Sequence, residues 1–147
     1  MPNPSAQSNL LAAVVAALNA TQVAPAYRTR MAAFSPAQLP AFNVLPDEGS
    51  AEYAGAYSGS VNWRFRFKVR CTAQAVDEVD TAVDPLFVAG SEAILTDPTL
   101  GGLVLTTRWV EQKWEREGEG QLDSCALVVT FESEFATSRS DPSVSVP

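Results

Sequence analysis

Histidine is absent from all 147 residues, and cysteine occurs only twice. The missing histidine removes the commonest general base and the commonest neutral metal ligand. Two cysteines, Cys71 and Cys125, are too few to scaffold a small secreted domain. Both sit on the apolar parity of strand-like runs and read as buried reduced thiols. A disulfide would require those two strands to be neighbours with suitable geometry. No CxxC pair and no Ser/His/Asp or Cys/His arrangement occurs, and no two carboxylates stand out as an acid–base couple. No Lys or Arg precedes Arg28, so the apolar run Leu10–Leu18 lacks the basic flank of a secretory signal. That run is also too short to span a bilayer. It reads as a helix packed on protein, in a chain expected to be soluble and intracellular. Positive charge is scarce: ten Lys and Arg stand against seventeen Asp and Glu, for a net charge of −7. A free-standing nucleic-acid binder is normally basic overall, so that class is disfavoured.

What the chain does have is concentrated in Val61–Cys71. Its odd positions are Val61, Trp63, Phe65, Phe67, Val69 and Cys71; its even positions are Asn62, Arg64, Arg66, Lys68 and Arg70. Successive side chains of a strand point to opposite faces, so this run predicts a strand with one dry face and one basic face. It holds four of the ten basic residues. The dry face implies a core beneath the sheet, and the basic face needs a partner.

Around that strand, the apolar positions Leu11, Val14, Val15 and Leu18 predict a first helix over about Ser5–Asn19, capped by Ser5 or Ser8. Residues 21–59 read as irregular. They carry Pro25, Pro36, Pro40 and Pro46, with a short strand at Phe42–Leu45 stopped by the turn Pro46-Asp47-Glu48-Gly49. A loop of that length is often functional, and Tyr53 and Tyr57 lie in it. Val76, Val79, Val83, Phe87, Gly90 and Ile94 predict a central helix over 75–95, kinked or restarted at Pro85. Gly101-Gly102 precedes a strand, where a phosphate-binding glycine loop would precede a helix, and so predicts a tight turn. Two long strands follow, Leu103–Arg116 and Leu122–Phe135, joined by a hairpin loop at 117–120. The fold class is therefore α+β: an antiparallel sheet with a long C-terminal β-hairpin, packed on one face by an N-terminal helix and a central helix. One domain is expected over residues 1–136, with a flexible tail over 137–147.

The candidate sites are assembly surfaces. The basic row Arg64, Arg66, Lys68 and Arg70 has potential opposites in Glu111, Glu115, Glu132 and Glu134, within one sheet or across a subunit interface or lumen. Tyr53, Tyr57 and Trp114 are candidate partner contacts. Trp109 and Trp114 have opposite parity in their strand, so one faces away from the core unless a bulge intervenes. Asp77, Glu78, Asp80 and Asp84 do not fit a calcium-loop spacing and read as a dipole-favouring helix start.

The order of parts resembles the tail terminator (tail completion, minor tail protein U-like) family of long-tailed bacteriophages. The resemblance rests on the strand end Asn43-Val44-Leu45-Pro46-Asp47-Glu48 and on Leu95-Thr96-Asp97-Pro98-Thr99-Leu100-Gly101-Gly102-Leu103-Val104 before the hairpin. It spans about residues 5–136, and Asp97–Val104 is its most specific piece. It implies a virion protein, made in the host cytoplasm, that forms a hexameric ring on the head-proximal end of the tail tube. Such a ring ends tube polymerisation, offers a surface to the head-side connector, and lets DNA pass through its lumen without sequence-specific binding. It implies no enzyme activity, no cofactor, no metal and no membrane. Two other readings fit the same residues: a neck or stopper protein of the head–tail connector, and an acidic monomeric protein-binding module.

Overall fold

The computed structural model describes residues 3–53, 59–118 and 123–146. Its elements run α1 (Ala6–Ala20), β1 (Ala26–Arg28), a single 3₁₀ turn (Pro36–Gln38), β2 (Ala41–Glu52), β3 (Ser60–Ala75), α2 (Val79–Leu95), β4 (Thr106–Gly118) and β5 (Asp123–Ser138). The strands form one sheet in the order β1-β2-β3-β5-β4. Every pairing is antiparallel except that of β1 with β2, which makes the sheet mixed rather than wholly antiparallel.

The centre of the sheet is the β3–β5 ladder, which runs without a register shift from Ser60↔Ser138 to Ala75↔Asp123. The two-residue period then sends Phe65, Phe67, Val69 and Cys71 to the same face as Cys125, Leu127, Val129 and Phe131. On that face Phe67 stacks on Phe131 with ring centroids 5.5 Å apart, and Phe65 meets Phe135 edge-on at 6.4 Å.

Both helices cover this face. α1 is capped by Ser5, whose Oγ accepts from the Ser8 N–H at 3.1 Å. Leu10, Leu11, Val14 and Leu18 bury one side of it. α2 buries Val79, Val83, Leu86 and Ile94 and continues through Pro85 as one helix. Gly90 lets α2 come close: a Cβ there would lie 3.0 Å from Phe42 Cε1 and 3.2 Å from Leu18 Cδ2.

Several elements differ from expectation, among them β1 and the 3₁₀ turn, which lie in the stretch read as irregular. β2 does not stop at Pro46 but runs on to Glu52, with a register shift between Pro46 and Gly49. β1 pairs only with Phe42–Val44, so Pro46 sits where β2 is a free edge, and its missing N–H costs no ladder bond. α2 starts at Val79 because β3 extends to Ala75, leaving less chain for the helix. The segment after Phe135, expected to be loose from residue 137, is hydrogen-bonded. β5 continues to Ser138, the Ser138 N–H donates to the Val144 carbonyl at 2.8 Å, and the Val146 N–H donates to that of Ala136 at 3.0 Å. The Ala6 N–H donates to the Pro142 carbonyl at 2.9 Å, tying this returning segment to the start of α1.

Candidate assembly surfaces

The face of the sheet away from the helices is charged, and the register explains its pattern. Arg64 pairs with Glu134 and Arg66 with Glu132 across β3–β5, and Arg108 pairs with Glu132 across β4–β5. Glu132 lies at the centre, its side chain only 4% exposed. It accepts from Arg66 Nε at 3.0 Å and from Arg108 Nη2 at 2.7 Å. The Arg108 hydrogen bond, helped by Arg66, holds its carboxyl below the usual glutamate range against the opposing effect of burial. Around this pair, Arg64 lies 3.5 Å from Glu134, Lys68 3.7 Å from Asp47, Arg66 3.6 Å from Glu48, and Arg70 bonds Glu115. The four-residue basic row thus lies on one surface with Glu115, Glu132 and Glu134. Glu111, opposite Thr130 in the ladder, is on the same face. Asp47, Glu48 and Arg108 complete the network and were not among the sequence candidates. The β2 extension that brings the two acids over the sheet is hidden by Pro46. Arg108 was legible only by following parity through β4.

Both tryptophans of β4 lie on the helix side. Trp109 stands opposite Phe131 and Trp114 opposite Leu127, because Val110 is an extra residue in the ladder between Trp109 and Glu111. This bulge turns opposite sequence parities into one face. α2 leaves the edge strand partly uncovered, so Trp109 is 56% exposed and Trp114 45%. Trp109 packs against Phe87 with centroids 6.4 Å apart, and with Val88 and Leu95 it lines an open apolar groove between α2 and β4. Trp114 lines a second recess with Asp77, Glu78, Val79 and Asp80 at the start of α2. Tyr53 is exposed beneath the Arg139 guanidinium, 5.4 Å from its ring centroid. Tyr57 and the tip of the β4–β5 hairpin lie outside the described residues.

Asp97–Val104, the most specific piece of the family resemblance, is an architectural turn. The Asp97 carboxylate accepts from the Thr99 N–H at 3.1 Å, the Thr99 hydroxyl at 2.6 Å and the Gly101 N–H at 2.9 Å. These bonds hold its pKa below the ordinary aspartate value, the Thr99 hydroxyl contributing most. Leu100, Gly101 and Gly102 all have positive φ, which explains the glycine pair. Buried Leu100 and Val104 pin the turn to the core.

Cys71 and Cys125 are free thiols on neighbouring strands, both buried. Burial pushes the Cys71 thiol up to about 12. Among the described residues, no three acidic or thiol side chains converge closely enough to hold a metal ion. Among the same residues, no helix is long and apolar enough to cross a membrane.

No protein-family model and no curated protein matches the chain. Among solved structures it is similar to a chain in the virion of a native gene transfer agent particle. The two are 15% identical, the match covers 85% of this chain and 94% of that chain, and the TM-score is 0.52. At that identity the likeness establishes the fold, across nearly the whole of both chains.

Proposed function

We propose that this chain is a non-enzymatic structural virion protein that closes into a hexameric ring on the head-proximal end of a phage tail tube. The ring ends tube polymerisation and presents the surface on which the head-side connector docks. The observation that carries this reading is the end-to-end fold likeness to a chain of a phage-like virion particle, joined to the tail-terminator pattern of the sequence. The molecule also has the surfaces that assembly requires: a sheet with an uncovered edge strand at β4, exposed aromatics beside it, and a charged face on the other side. The remaining candidate surfaces are assigned accordingly. Tyr53, Tyr57 and Trp114 contact partners. The Arg64–Arg70 row and its acidic opposites face the lumen, where a surface balanced in charge lets DNA slide without sequence-specific binding.

The same likeness fits a neck or stopper protein, and the binding partner separates the two. Purified chain is added to tail tube protein during polymerisation and the tubes are imaged. A terminator decorates one end of each tube and halts its growth. A chain that leaves tube length unchanged and binds portal-side proteins instead is a neck component.

A further inference from the structure

Charge is segregated along the fold in a way that the balanced sheet face conceals. The first acidic residue is Asp47, so everything before it carries only Arg28 and Arg30. Between Cys71 and Thr107 the reverse holds: six acidic residues (Asp77, Glu78, Asp80, Asp84, Glu92 and Asp97) and no basic one. The strand order puts β1 at one edge and β4 at the other; α2, which carries most of the acidic stretch, packs over β3 and β5 and forms a groove with β4 along Trp109.

Each edge pairs its charge with exposed apolar side chains. Beside Arg28 and Arg30 stands Met31, 86% exposed, and Val23 is also exposed. Arg28 donates to Ser8 Oγ, and Arg30 donates to Gln38 Oε1 and lies over the Tyr27 and Phe34 rings. Neither has a carboxylate partner among the described residues. At the other edge, exposed Glu92 borders the groove of Phe87, Val88, Leu95 and Trp109. Among the described residues Glu92 has no cationic partner.

We infer that the subunit contact is heterologous and edge to edge: the Arg28–Met31 edge of one copy seats against the α2–β4 groove and Glu92 of the next. Complementary sign, apolar content on both sides, and the placement of β1 and of the α2–β4 groove at the two edges of one sheet select a second copy of this chain as the occupant. A contact between two different patches propagates from copy to copy and closes into a ring when the rotation allows. The inference rests on the ring reading above and names the surfaces that build it.

Two variants block one edge each: Arg28→Glu with Met31→Glu, and Val88→Arg with Glu92→Arg. All four side chains are exposed or half-buried, so folding is retained and is checked by circular dichroism. Like-charge juxtaposition raises the concentration at half-assembly by about 100-fold for each variant alone. An equimolar mixture offers one native contact and one charge-swapped contact of complementary sign, so it assembles at concentrations where neither variant alone does. Rings from either variant alone, or a mixture that stays monomeric while the unmodified chain forms rings, would overturn the edge pairing and leave the ring reading standing. An unmodified chain that stays monomeric at every concentration and on tail tubes would overturn both.

Discussion

On the helix side of the sheet, Phe67 of β3 stacks on Phe131 of β5, 5.5 Å away. One residue along the same two strands, on the other side, Arg66 meets Glu132 at 3.0 Å. The helix side is held by burial, with Phe42, Phe67 and Phe131 at 1% exposure or less. The other side is held by ion pairs in which one buried carboxylate is bracketed by two guanidiniums that remain partly in water. The basic strip, for which the sequence offered Glu111, Glu115, Glu132 and Glu134 as opposites, is matched within the chain by acids from β2, β4 and β5. Unmatched charge among the described residues lies instead away from this face, basic at Arg28 and Arg30 beside β1 and acidic along α2.

This contrast can be broken from either side. Phe131→Ala removes a fully buried ring and leaves a cavity beside Phe67, and should cost about 3–5 kcal/mol in denaturant unfolding. Glu132→Gln keeps the shape but deprives Arg66 and Arg108 of their shared carboxylate, and should cost about 1–2 kcal/mol by the same measurement. The pH dependence sharpens this second case. The folded state holds the Glu132 pKa below its unfolded value, so its contribution is present above about pH 4.3, the ordinary glutamate value. It is lost as pH falls through the folded value. The unfolding midpoint of Glu132→Gln should therefore fall less steeply than that of the unmodified chain as pH drops below about 4.3, the ordinary glutamate value. A parallel fall in both would show that the pair is not formed in solution. Arg64→Ala removes an exposed pair and should change stability by no more than about 0.5 kcal/mol. A larger loss would mean that the charged face acts as one unit.

Much of this was legible from residues. The alternation of Val61–Cys71 assigned both faces of β3, and the second half of the hairpin followed the same parity to Phe135. The helical spacing of α1 and α2 gave the layer that covers the sheet. What stayed hidden depended on where strands sit rather than on what they contain. Pro46 reads as a stop until β2 is known to be a free edge there. The two tryptophans of β4 read as opposite-facing until Val110 is seen to bulge. The Ser/Pro-rich end reads as loose because its tether, the Ala6 N–H, lies at the other end of the chain. The charge segregation was present in the sequence throughout. It pointed to an interface only once β1 was known to be one edge of the sheet and α2 to form a groove with β4 at the other.

The most direct test of the account is the solution mass of the unmodified chain by light scattering, with negative-stain images of the same fractions. A closed ring of six copies of the 15.7 kDa chain, about 94 kDa, with a central hole is the expected result. A stable monomer that remains one when purified tail tubes are added would contradict it.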